Sequence, residues 1–193
     1  MKSGRLEAFS DGVLAIIITI MVLGLKVPHE HTVAALVHTT GLGLLTYLLS
    51  FVSIGIYWNN HHHMFVVGTD VSGAVLWANL HLLFWLSLYP FTTAWLAESH
   101  LSRIPAVAYG VNFLASALAY YVLQTAMMRV PRTGPRLRAA LGSDLKGKVS
   151  PVLYILGIAL VFVQPWLGMV CYIAVAVMWV VPDRRVERYL EQV

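Results

Sequence analysis

The chain has 193 residues, of which 59% are hydrophobic and only 11% charged, whereas soluble domains carry about 25% charged residues. Together with a mean hydropathy of +0.73, this excludes a soluble enzyme and a disordered chain, and a single cysteine, Cys171, excludes an intramolecular disulfide and a cysteine-cluster metal site. The formal net charge of +4 comes from basic residues beside apolar stretches, so it indicates a membrane surface and not a nucleic acid.

Charged residues are confined to short segments. No Asp, Glu, Lys or Arg occurs between Glu30 and Asp70, Asp70 and Glu98, Arg103 and Arg129, or Lys148 and Asp183. A membrane helix needs about 20 mostly apolar residues, so the sequence predicts an all-α polytopic membrane protein with six transmembrane helices. In chain order they cover 5–26, 35–62, 72–97, 105–128, 148–163 and 165–181 of one domain, 1–193. Lys2, Arg5 and the apolar run after them superficially resemble a signal peptide. Glu7 and Asp11 argue against that, and Lys26-Val27-Pro28-His29 offers no small-residue cleavage site. Starting the first helix at Gly12 would leave it roughly 22 Å long, short of a hydrocarbon core of about 30 Å. Asp11 is therefore expected inside the helix, and Pro28 is expected to end it. Pro90 predicts a kink in the third span, and Pro105 suits a first helical turn. Val130–Gly147 reads as a linker able to carry a short interfacial helix. Gln164-Pro165 divides the last apolar stretch into a hairpin of two short helices.

With six spans, eleven Lys and Arg fall on the side of the termini and two, Lys26 and Arg103, on the other. The positive-inside rule then places both termini in the cytoplasm.

Four polar groups lie where a membrane makes them expensive. Arg5 and Asp11 are about 120° apart around a helix, so each needs partners on another helix or at the headgroups. After Asp11 the first helix is apolar except for Thr19, and its stripe Gly12, Ile16, Thr19/Ile20, Leu23 suits a pore, a core or a lipid face equally. Asn59-Asn60-His61-His62-His63 invites a metal assignment, but three consecutive histidines point in different directions, and no HxxxH box occurs. The cluster reads instead as interfacial, with one His and one Asn turned inward. In the third span, Trp77 and His81 form an i, i+4 pair at the depth of Asp11. They are candidate donors to that carboxylate, with Asn79 a further candidate, although ordinary interhelical hydrogen bonding explains the same residues.

Arg5-x-x-x-Phe9-Ser10-Asp11 resembles the signature of the prokaryotic branch of the lysosomal potassium channels called transmembrane protein 175. The resemblance continues through Trp58-Asn59-Asn60-His61-His62…Phe65 and Leu76-Trp77-Ala78-Asn79-Leu80…Pro90-Phe91-Thr92-Thr93-Ala94. The last three spans match only in number and length, and His63 stands where a basic residue is expected. The resemblance implies a homotetramer in a prokaryotic cell membrane, passing monovalent cations, with potassium as the permeant ion and no cofactor. The first helices of four subunits would line the pore. The narrowest point would be a ring of Ile16, five residues after the motif Asp, followed by Thr19/Ile20 and Leu23. Arg5, Phe9, Ser10 and Asp11 would be structural, tying the first helix to the second and third through Trp77, Asn79 and His81. No TVGYG-like carbonyl filter is present, so conduction would depend on widening an apolar constriction. The alternative is a proton-coupled transporter or proton channel using Asp11 and the membrane histidines. A membrane enzyme ranks third, because no nucleophile–base pair or metal box stands out.

Overall fold

The computed structural model describes residues 2–68, 70–141 and 144–180. Arg184, Arg185 and Arg188, counted above toward a cytoplasmic C-terminus, lie outside the described residues. The elements are α1 (Gly4–Leu23), α2 (Val33–Val67), α3 (Gly73–Ser87), α4 (Tyr89–Glu98), α5 (Arg103–Met128), α6 (Gly134–Leu141), α7 (Leu145–Val161) and α8 (Pro165–Val180). The only pairing outside helices among the described residues is an isolated antiparallel bridge between Lys2 and Asp70.

Local chemistry sets most of the boundaries. Thr32 and Ser72 cap α2 and α3, their hydroxyls accepting from the N–H groups of Ala35 and Val75 at 3.1 and 3.4 Å. Pro165 opens α8 at a position where its missing N–H costs no helical bond. α1 contains Asp11, as its length required, but ends at Leu23 and not at Lys26. The N–H groups of Gly24 and Leu25 turn to the carbonyls of Met21 and Val22, tightening the last turn. Pro28 prevents the helix from resuming. α2 exceeds its expected bounds at both ends. Its 35 residues span about 52 Å, well beyond a hydrocarbon core of about 30 Å, a length that requires tilt or projection from the bilayer.

The third span is broken in two. Pro90 cannot donate to the ladder, and the break falls at Leu88, with the Thr92 hydroxyl 3.2 Å from the Leu88 carbonyl. α4 ends in a turn where His100 and Leu101 adopt φ of 52° and 61°, a left-handed conformation that non-glycine residues adopt at a cost. Within the linker, α6 buries Leu137 and Ala140 while leaving Arg136 and Arg138 exposed. α7 begins before the apolar run, because Asp144 caps it through the Gly147 N–H at 3.1 Å.

Among the described residues, four helices are long and apolar enough to cross a membrane: α1, α2, α3–α4 taken together and α5. α7 and α8 have 17 and 16 residues and pack as a hairpin. The core lies where α5 meets α3, α7 and α8. There Tyr109 and Phe113 stack at 4.4 Å, and Tyr89, Tyr154 and Tyr172 close around them. Gly110 allows this approach, since a Cβ there would run into the Tyr172 hydroxyl. α1 sits to one side, packed on α2, α3 and α4.

Candidate functional site

The position of α1 divides its residues into two faces. Leu6, Ser10, Leu14, Ile17 and Met21 are buried against the other helices, repeating at the three- and four-residue intervals of one helical stripe. Gly12, Ile16, Thr19, Ile20 and Leu23 lie roughly opposite and are exposed, Ile16 at 58% and Leu23 at 80%. No side chain of the same subunit covers the stripe that the sequence nominated. Its one polar group is turned inward, the Thr19 hydroxyl lying 3.0 and 2.9 Å from the Ala15 and Ile16 carbonyls.

At the N-terminal half of α1 a chain of hydrogen bonds ties three helices together. His61 Nε2 on α2 lies 2.8 Å from Asn79 Oδ1 on α3. Asn79 Nδ2 donates to Ser10 Oγ on α1 at 2.9 Å, and Ser10 Oγ donates to the Leu6 carbonyl at 2.9 Å. The orientation of the Asn79 amide sets the direction of the chain. The Asn79 oxygen only accepts, so His61 carries a proton on Nε2. Ser10, His61 and Asn79 are all buried, and His61 packs on Phe65 with ring centres 4.6 Å apart. Beside this chain, Trp58 Nε1 donates to Asp11 Oδ1 at 3.0 Å.

This geometry corrects the expected partners of Asp11. Asn79 faces α1, and on one helix that turns Trp77 and His81, two residues to either side, about 160° away. Trp77 is 75% exposed, and His81 accepts a bond from Trp85 Nε1 at 3.0 Å within α3. The carboxylate is held instead by Trp58, the first residue of the Trp58-Asn59-Asn60-His61-His62 motif. The signal was present: Trp58 and His61 are an i, i+3 pair on one face of α2, matching the adjacent Ser10 and Asp11. Of the motif's other members, Arg5 and Phe9 are exposed. The histidines separate as adjacent helical residues must, with His61 buried, His62 exposed and His63 between. Among the described residues no three His, Cys, Asp or Glu side chains are placed to hold a metal ion.

A second knot fixes the other half of α1's neighbours. Ser50 Oγ on α2 lies 2.7 Å from Thr93 Oγ1 on α4 and 2.8 Å from the Tyr109 hydroxyl on α5. Thr93 reaches α1 only through a long contact of 4.0 Å to Met21 Sδ. Nothing in the spacing of Ser50 announced its role, because lone serines are common in membrane helices.

The site's chemistry is thus positional. A polar anchor holds one end of an apolar helix whose outward face is open to a neighbour, to lipid or to a pore. Comparisons with known proteins bear on that choice. The family model described as the endosomal/lysosomal potassium channel TMEM175 matches residues 5–90. A potassium channel from Chryseobacterium sp. (strain P1-3) is 47% identical over 192 residues, 100% of both chains. The crystal structure of a lysosomal potassium-selective channel TMEM175 homologue from Chamaesiphon minutus superposes with a TM-score of 0.74 at 33% identity, covering 92% of this chain and 96% of that one. The endosomal/lysosomal proton channel TMEM175 of Gallus gallus is 30% identical over 150 residues, covering 69% of this chain and 30% of the longer relative.

Proposed function

This chain belongs to the TMEM175 family of ion channels, and from that premise we propose that it conducts potassium passively through a pore lined by α1 in a symmetric homotetramer. The chain is an integral membrane channel and not an enzyme. The observation that carries the proposal is the open face of α1: a single subunit leaves Ile16, Thr19, Ile20 and Leu23 uncovered, and four copies around an axis turn them toward one another. Ile16 forms the narrowest ring, with Thr19/Ile20 and Leu23 as the next levels. A ring of branched carbons blocks ions by dewetting when narrow and passes them when it widens. It offers no oxygen to replace lost water, and potassium surrenders its hydration more cheaply than sodium. Ser10 and Asp11 position the helix, bonded to Asn79 and Trp58, while Arg5 and Phe9 are exposed on the side of the open stripe.

In this scheme α7 and α8, about 25 Å each, complete six spans, and both termini face the cytoplasm of a prokaryotic cell. The eleven-to-two distribution of Lys and Arg supports that orientation. No cofactor enters the scheme.

Purified protein in liposomes under opposed potassium and sodium gradients tests the proposal. The wild-type reversal potential is expected to follow potassium. Ile16→Asn wets the ring with amides that accept either cation, so currents rise and the potassium-to-sodium ratio moves toward one. Ile17→Asn, about 100° around the helix at a position 4% exposed, impairs expression instead. Permeation left unchanged by substitutions at Ile16, Thr19 and Leu23 alike would remove α1 from the pore.

The name of the Gallus gallus relative favours proton conduction as a second reading. The anchor itself is a poor proton path, because the Asn79 amide between His61 and Ser10 cannot relay a proton. Protons would have to follow water along the open stripe, and a pH-sensitive dye trapped in the same liposomes measures that flux.

A further inference from the structure

On the far side of α2 from α1, a cavity of about 80 Å³ opens between α2, α5, α7 and α8. At a share of about 10–15 Å³ for each water-sized site, it has room for about six such sites, the scale of a small organic group. Its walls include Tyr57, Tyr120, Tyr154 and Trp179, and among the described residues the one charged side chain on the lining is Asp144.

Several polar groups on the lining are bonded within the protein. Trp179 Nε1 donates to Ser150 Oγ at 2.8 Å, and the Ser150 hydroxyl in turn donates to the Lys146 carbonyl. The Tyr120 hydroxyl donates to the Asn60 carbonyl at 3.3 Å, and Asn60 Nδ2 donates to the Ile56 carbonyl at 2.8 Å. Gln124 Nε2 donates to Asp144 Oδ2 at 3.2 Å. These bonds use one N–H of each amide, and the Tyr57, Tyr121 and Tyr154 hydroxyls add further polar groups to the lining. Each oxygen of Asp144 accepts one such bond and, as a carboxylate oxygen, keeps further lone-pair capacity. Aromatic faces carry negative potential and attract cations, and Lys146 Nζ already lies 5.9 Å from the Trp179 ring centre without lining the cavity.

We propose that this cavity binds a small organic ammonium ion, with its N–H groups on the Asp144 carboxylate and its apolar part against Tyr57, Tyr120 and Tyr154. The site is separate from α1, so it stands or falls independently of the pore assignment. A bare alkali ion gains little from four aromatic walls, and an anion would meet the carboxylate.

Titration calorimetry on the purified full chain in detergent at pH 7 tests the site with phenethylammonium and its neutral counterpart 2-phenylethanol. The wild type is expected to bind the ammonium at least tenfold more tightly than the alcohol. Asp144→Asn keeps an acceptor for the Gly147 N–H and a residue type that tolerates the φ of 39°. It should melt like the wild type and lose at least tenfold in affinity for the ammonium. Ala117→Leu fills the cavity from α5 with the carboxylate in place and should lose binding too, which keeps the test decisive if Asp144→Asn fails to fold. The proposal is overturned if the wild type does not bind the ammonium at millimolar concentration. Equal affinity for the alcohol, or undiminished binding in Ala117→Leu or in folded Asp144→Asn, overturns it as well.

Discussion

Asn79→Leu tests whether the buried chain from His61 to Ser10 works as one unit. The substitution removes the acceptor for His61 Nε2 and the donor to Ser10 Oγ, at 2.8 and 2.9 Å respectively. Ser10 keeps its bond to the Leu6 carbonyl, so the main penalty is the His61 N–H, orphaned on a side chain only 2% exposed. An unsatisfied buried donor costs about 1–3 kcal/mol and a lost neutral bond about 0.5–1.5 kcal/mol, giving about 2–4 kcal/mol together. For a chain of this size that corresponds to a fall of about 4–16 °C in melting temperature, read by fluorescence-detected size exclusion after heating. The control is the double variant His61→Leu/Asn79→Leu. Replacing both partners with apolar groups removes the orphan and is close to neutral, so the double variant is expected to melt above Asn79→Leu alone. If the penalties of Asn79→Leu and of His61→Leu alone simply add, the residues are independent and the anchor is not a network.

Asp11→Asn keeps an acceptor for Trp58 Nε1, and because the Asp11–Trp58 bond is exposed its loss of charge is expected to cost under about 1 kcal/mol; a changed potassium-to-sodium ratio in liposomes would instead put Asp11 in the conduction path. Gly110→Ala drives a methyl into Tyr172 and Ile158 and is expected to cost about 1–3 kcal/mol through overpacking. Gly55→Ala has nothing within 4 Å of the new methyl and should melt at or above the wild-type temperature, since alanine favours helix.

What the sequence made legible were features governed by one chain segment at a time. The inclusion of Asp11 in α1 followed from bilayer thickness, the break near Pro90 from a missing N–H, and α6 from the linker of Val130–Gly147. Partner choice between helices was less accessible, because it depends on the rotation of each helix about its axis. The i, i+4 spacing of Trp77 and His81 suggested a shared face correctly but could not say that Asn79, between them, faces the protein. Once one of these three residues is buried, the others must point away. Trp58 was overlooked because an indole near a membrane surface has an ordinary anchoring role. The Ser50–Thr93–Tyr109 knot has no local pattern at all: it joins residues 43 and 59 positions apart. The extra length of α2 was hidden for the opposite reason, since polar Asn and His residues continue a helix that hydropathy alone would end.

If α1 lines the pore as proposed, its two faces separate stability from permeation, and that separation is itself testable. Hydrogen bonds to other helices hold α1 through Ser10 and Asp11, near its first turns. Beyond them its buried face offers apolar contacts from Leu14, Ile17 and Met21 and one long sulfur contact. The base of the helix is therefore fixed in direction as well as position. The levels at Ile16, Ile20 and Leu23 rest on non-directional packing that tolerates small displacements, up to Lys26 just beyond the helix, whose carbonyl accepts from the Thr40 hydroxyl on α2 at 2.6 Å. An apolar ring on such a segment can widen without breaking a hydrogen bond, which is what gating by dewetting requires. Substitutions on the open stripe are expected to alter current and selectivity while moving the melting temperature by less than about 2 °C, as exposed positions usually shift stability by under about 0.5 kcal/mol. Substitutions in the anchor are expected to lower the melting temperature while the protein that stays folded keeps its ion preference. A stripe substitution that collapsed the fold, or an anchor substitution that changed selectivity in intact protein, would show that the two faces are not separable and that the constriction is built from more than α1.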